Sequence, residues 1–203
     1  MGVNRLALVE NKQFLQIGIL FSVVIGVFVI GYSFFYLDLN PQVCTEAPDA
    51  PLDLEELSLV SLLEVGENAP EISQPDVYGN NFSLSALRGK VVLLNFMGTW
   101  CASCVWEMGD LIELHNLYAN EDVVFLSVAI EANGTINDVI DFKSKYCADW
   151  TFILDEDDTF SSFQVELLPT TFVIDRFGVI VYSRVGLLDP DRLLIVLDEL
   201  STQ

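Results

Sequence analysis

Apolar and polar residues are arranged in three ways along this chain. From Gln13 to Leu37 no side chain is charged, and the run Phe14 to Leu37 is long enough to cross roughly 30 Å of hydrocarbon as one helix. Residues 38–66 then combine three prolines, many acids and one short apolar stretch, Leu52 to Val65, a pattern that reads as a linker. From Glu67 onward, short apolar runs alternate with segments of helical period, as expected of one globular domain over 67–203.

Within that domain the pattern predicts a sequence of elements. Ile72 to Leu84 carries Tyr78-Gly79-Asn80-Asn81-Phe82 and reads as a β-hairpin. Val91 to Phe96 is a continuous apolar run broken only by Asn95, the signature of a strand covered on both faces. Cys101 to Tyr118 reads as one helix with Met108, Leu111, Ile112 and Leu114 or His115 on its inner side. Val123 to Ile130 is a strand, and Ile136 to Tyr146 a helix with Ile136, Val139, Ile140 and Phe142 inward. A strand at 151–154, a short helix at 159–164, strands at 171–175 and 179–183 and a closing helix at 189–200 complete the series. Strands alternating with helices and ending in a hairpin imply an α/β fold with a mixed sheet flanked by helices.

Charge refines this picture. Arg5 and Lys12 precede the uncharged run, and no further Lys or Arg occurs before Arg88, while ten acidic residues from Asp38 to Asp76 intervene. The positive-inside rule then predicts residues 1–13 in the cytoplasm, 14–37 as an uncleaved anchor, 38–66 as an acidic juxtamembrane linker, and the domain on the extracytoplasmic side. The bulky end of the run, Tyr32 to Leu37, lacks the small residues of a cleavage site. A net charge of −21 argues against nucleic acid as a partner. Asn81-Phe82-Ser83 and Asn133-Gly134-Thr135 match the N-glycosylation pattern, and Asn-Gly is equally a plain turn signal.

The chemistry is concentrated in Trp100-Cys101-Ala102-Ser103-Cys104, directly after the strand at 91–96. Two cysteines three apart at the start of a helix place both sulfurs on one side of its first turn, within bonding reach. The helix N-terminus favours a thiolate at Cys101. Cys44 and Cys147 stand alone; they are candidates to pair with each other, with a buried free thiol at Cys147 and an interchain bridge at Cys44 as alternatives. One CxxC, two isolated cysteines and His115, expected on the rim of its helix, do not make a zinc site, and no cofactor is expected. Phe96 to Cys101 lacks the proline of a peroxide-reactive cysteine motif, and no phosphate-cradling glycine loop is present.

Several segments together resemble the membrane-anchored thioredoxin-like proteins of the TlpA and ResA type, over about residues 64–200: Gly66 to Pro70, Leu87 to Phe96, Gly98 to Cys104, and Leu168-Pro169-Thr170-Thr171-Phe172 running on to Gly178. The resemblance implies a thioredoxin-like fold with an N-terminal hairpin and an inserted helix. It implies a redox disulfide Cys101–Cys104, with Cys101 as nucleophile and Cys104 as resolving cysteine. It implies a cis peptide before Pro169, which leaves the backbone of Leu168 free for a substrate strand, and makes Trp100, Leu168 and Thr170 substrate-contacting positions. Ordinary thioredoxins carry an acid where this chain has Asn95; ResA-type proteins carry one where this chain has Glu107, which would then exchange the proton of Cys104. Partners implied are protein disulfides or dithiols, apocytochrome c or another exported cysteine protein among them, and a membrane electron donor. A disulfide-donating oxidant and a non-catalytic binding module on the same fold are the competing readings.

Overall fold

The computed structural model describes residues 63–118, 122–131 and 134–201. The expected anchor at 14–37 and most of the linker, with Cys44 and Asn133, lie outside the described residues. Among the described residues no helix is long and apolar enough to cross a membrane.

A two-stranded hairpin opens the domain, β1 (Ser73–Pro75) against β2 (Asn81–Ser83). Its turn is tied by the Asp76 carboxylate, which accepts from the backbone N–H groups of Tyr78 and Asn80, both at 2.9 Å. A 3-10 turn at Leu84–Leu87 leads into β3 (Val91–Met97). Then come α1 (Ala102–Trp106), α2 (Met108–Tyr118), β4 (Val123–Ala129), α3 (Ile136–Lys145) and β5 (Thr151–Leu154). The short α4 (Thr159–Ser162), β6 (Thr170–Ile174), β7 (Ile180–Val185) and α5 (Pro190–Ser201) close the domain.

The five main strands lie in the order β5-β4-β3-β6-β7. β3 pairs parallel with β4 and antiparallel with β6, so it is central, and all seven of its residues are buried. This is why its sequence is apolar without alternation: both faces are covered. Val91, Leu93 and Met97 enter one core with Leu111, Leu114, Val139, Leu193 and Leu197. Val92, Leu94 and Phe96 enter the other with Ile72, Leu84, Phe160, Phe163 and Phe172. Leu63, expected in the linker, is buried in that second core, and the Gly66 N–H donates to the Ile180 carbonyl at 2.8 Å.

Two helices depart from the expected pattern. The segment 101–118 is two helices rather than one: Glu107 ends α1, its own N–H donating to Ser103, while its carbonyl starts α2 by accepting from Leu111 at 3.0 Å. On α3, Val139 and Phe142 point inward as expected, but Ile136, the first residue of the helix, is 40% exposed. The C-terminus of α3 is secured by Lys143, whose ammonium donates to the carbonyls of Ala148 and Trp150 and lies over the Phe152 ring.

Candidate active site

β3 runs toward the dithiol and β6 runs away from it, because the two strands are antiparallel neighbours with Phe96 opposite Thr170 and Asn95 opposite Thr171. The residues just after β3 and just before β6 therefore meet at one end of the sheet. Cys101 and Cys104 come from the first connection and Leu168-Pro169 from the second.

Cys101 is the N-cap of α1 and is joined to Cys104 in a disulfide with Cα atoms 5.3 Å apart. Access is unequal: Cys101 keeps 7% of its surface and Cys104 only 1%, so a partner arrives at Cys101. Two groups face the Cys101 sulfur. The backbone N–H of Cys104 donates to it at 3.3 Å, and the Ser103 hydroxyl lies 3.3 Å away. After reduction both are placed to stabilise a thiolate. Ser103, one of the two residues between the cysteines, thus touches the reactive sulfur directly.

The Leu168–Pro169 peptide is cis, as the resemblance implied. The Pro169 carbonyl accepts from the Gly186 N–H at 2.8 Å, which fastens the loop to the end of β7. Leu168 is partly exposed. Thr170 is fully buried and its hydroxyl donates to the Leu167 carbonyl at 2.8 Å, so its side chain shapes the loop from beneath.

Trp100 stands apart from the core, 61% exposed, which excludes a core-filling role. Its indole N–H donates to the Ile130 carbonyl at 3.1 Å. The ring lies so close over Gly98 that a Cβ there would come within 2.9 Å of it. The neighbouring Thr99 N–H donates to the Glu131 carboxylate at 2.8 Å. The loop before the dithiol is thus held by two contacts to the segment after β4, and neither had a sequence signal: Glu131 lies 32 positions from Thr99. Ile130, Leu167 and the indole leave an apolar, partly exposed rim at this end of the sheet.

Glu107 is 1% exposed, three residues beyond Cys104 and at the break between α1 and α2. One carboxyl oxygen accepts from Asn95 Nδ2 at 2.8 Å and the other from the Leu188 N–H at 3.2 Å. Burial raises its pKa to about 8; the two donors pull it down without cancelling that effect, and the charge of Asp110 adds to it. A carboxyl with that pKa both holds and releases a proton near neutral pH. Asn95, 2% exposed, also approaches the Thr171 hydroxyl at 3.4 Å. The structure thus joins Asn95, which the sequence marked as an unsuitable acid, to the acid itself.

The remaining candidates sit elsewhere. Cys147 is exposed, at φ +50°, and disulfide-bonded, which removes the alternative of a buried free thiol. His115 lies between the rings of Phe125 and Trp150, 5.1 Å from each, and burial lowers its pKa. Among the described residues no group of three or more His, Cys, Asp and Glu side chains is arranged to hold a metal ion. Asn81 is exposed at the start of β2.

A mixed five-stranded sheet, a CxxC disulfide at the mouth of a helix and a cis-proline loop at the same end define a thioredoxin-like fold with a thiol–disulfide centre. The Redoxin family model matches residues 64–193, and the chain belongs to that family. Thiol-disulfide oxidoreductase ResA of Geobacillus kaustophilus is 36% identical over 115 residues, 56% of this chain and 65% of that protein. The Bacillus thuringiensis protein of the same name is 33% identical over 125 residues, 61% of this chain and 71% of that one. The match thus spans about two thirds of each relative's length. Among solved structures, the thioredoxin domain of the thiol-disulfide oxidoreductase BVU-2223 of Bacteroides vulgatus superposes with a TM-score of 0.61 at 24% identity, over 68% of this chain and 99% of that one. The matched domain is that of a thiol–disulfide oxidoreductase.

Proposed function

We propose that this protein reduces disulfides of exported proteins through its Cys101/Cys104 dithiol, with residues 14–37 as a membrane anchor and the domain on the extracytoplasmic side. The observation that carries the reading is the unequal access of the two sulfurs, with the Glu107 carboxyl buried three residues beyond Cys104 and its pKa raised by that burial. The Cys101 thiolate attacks one sulfur of a substrate disulfide, forms a mixed disulfide and releases the other sulfur as a thiolate. The Cys104 thiol gives its proton to the Glu107 carboxylate and attacks the Cys101 sulfur. The substrate's second thiolate leaves, having gained the two electrons that the protein has lost. A membrane dithiol donor would restore the reduced state. The apolar rim of Trp100, Ile130 and Leu167, with the Leu168 backbone between, suits an extended, partly unfolded segment rather than a small thiol. The orientation rests on Arg5 and Lys12 before the uncharged run and on the acids after it.

Insulin reduction by the full-length chain tests the activity. Turnover is expected from the reduced protein and none from Cys101→Ser; equal turnover by both would overturn it. A Cys104→Ser variant is expected to accumulate its natural substrate as a stable mixed disulfide. A redox potential well above that of the glutathione pool would reverse the direction and make the protein a disulfide donor.

A further inference from the structure

We propose that Asn95 is the positioning residue for Glu107, and that the two form a single acid–amide pair whose members are exchangeable between strand and helix. The inference deepens the proposed function and rests on Glu107 being the proton carrier in it.

Asn95 and Glu107 are both essentially without solvent, so every polar atom they carry needs a partner within the protein. The Glu107 carboxyl receives one donor on each oxygen, from Asn95 Nδ2 and from the Leu188 N–H. These two N–H groups come from β3 and from the loop before α5, so they hold the carboxyl plane between two parts of the scaffold. Asn95 is held in turn by its place in the β3–β6 ladder, opposite Thr171, whose hydroxyl lies 3.4 Å from the same amide nitrogen. An amide here does what an apolar side chain cannot: it gives the carboxylate form a hydrogen bond, so that form stays accessible in a water-free site. It also does what an acid cannot, because two carboxyls 2.8 Å apart would have to share a proton.

The same contacts can form when the pair is reversed. With Asp at 95 and Gln at 107, the Gln amide donates to the Asp oxygen that takes the place of Nδ2, the Gln carbonyl oxygen accepts from the Leu188 N–H, and the Thr171 hydroxyl, 3.4 Å from that same place, is positioned to donate to the same Asp oxygen. The hydrogen bonds of Asn95 Nδ2 and of the Leu188 N–H keep a counterpart, and the acid has moved from the helix to the strand without leaving the pocket. Each single exchange breaks the pairing: Asn95→Asp sets two acids together, and Glu107→Gln sets two amides together with no proton carrier.

The test uses the full-length chain in detergent and four variants: Asn95→Leu, Asn95→Asp, Glu107→Gln, and the double exchange Asn95→Asp/Glu107→Gln. The readout is the pH dependence of disulfide exchange by the reduced protein. Asn95→Leu is expected to move the midpoint attributed to Glu107 about one pH unit toward alkali, since a charged hydrogen bond is lost. Glu107→Gln is expected to abolish that transition, and the double exchange to restore a pH-dependent rate within about tenfold of the unaltered protein. An unshifted midpoint in Asn95→Leu, or a double exchange no better than Glu107→Gln, overturns the pairing while leaving Glu107 as carrier. A Glu107→Gln variant with an unchanged rate and profile overturns the carrier itself. A measurement on the unaltered, oxidised chain does not depend on variant folding: the Asn95 side-chain amide resonances are expected to titrate with a midpoint near 8, following Glu107. Resonances that stay still from pH 6 to 10 overturn the proposal.

Discussion

On one face of the central sheet β3 contributes Val92, Leu94 and Phe96; on the other it contributes Val91, Leu93 and Met97, with Asn95 among them. The first face meets a cluster of phenylalanine rings. Phe96 packs edge-on against Phe160 at 4.8 Å and Phe172 at 5.9 Å, and Phe163 completes the group. The second face meets the helices that carry the dithiol, and there the apolar packing is interrupted by Asn95, Glu107 and Thr171. The same strand thus supplies a stabilising face and a chemical face, one residue out of phase. The difference shows how this small domain keeps a charged reaction away from the packing that holds it together: burial stabilises on one side, while on the other it retunes an acid at a cost in stability.

Four substitutions sharpen or break that contrast. The largest effect belongs to Cys101→Ser, which is expected to remove all dithiol-dependent turnover while leaving thermal unfolding of the reduced domain close to that of the reduced parent. Loss of folding there would mean that the chemical face is also structural. Phe96→Ala, on the other face, is expected to destabilise by about 3–5 kcal/mol in urea titration, with exchange chemistry per folded molecule preserved. A changed thiol pKa in that variant would show the two faces to be coupled.

Glu107→Gln has an effect whose sign depends on pH. Folding raises this acid from 4.5 to about 8, so between those values the folded state binds more protons than the unfolded state, and its stability falls as pH rises. Gln carries no such penalty. The variant is expected to be no more stable than the parent at pH 4 and more stable by on the order of 2 kcal/mol at pH 9, read from denaturant midpoints at both pH values. A pH-independent difference would mean that Glu107 is not buried as described. Ser103→Ala should act least. Removing the hydroxyl beside the Cys101 sulfur is expected to raise the Cys101 pKa by under one unit, measured by alkylation rate against pH, without moving the unfolding midpoint.

The sequence made much of this legible, and the limits have physical causes. β3 was readable because a central strand buries both faces, and the dithiol because two cysteines three apart at a helix start lie within bonding reach; the role of Pro169 came from the resemblance. The break at Glu107 was not readable: no proline marks it, and helical period continues through Met108 and Leu111 on either reading. Trp100 was marked by resemblance as a substrate-contacting position, but the carbonyl that holds its ring is 30 residues away and no local pattern encodes it. Glu107 was found by resemblance alone. Its partners are 12 and 81 residues distant, and no local pattern encodes a contact of that separation.

One further point follows from the antiparallel pairing of β3 with β6. The two halves of the reactive centre are aligned by a few backbone rungs, not by the some 65 residues of chain that join Cys104 to Pro169. Insertions or deletions in the connections after β4 and β5 would lengthen or shorten a tether that carries no positional information, at an entropic cost that grows only slowly with length. A one-residue slip of β6 along those rungs would instead turn Thr171 away from the Asn95 face and offset the proline from the sulfurs at a stroke. Such relatives are therefore free to differ in the span between the motifs, but not in the pairing of the strands that carry them.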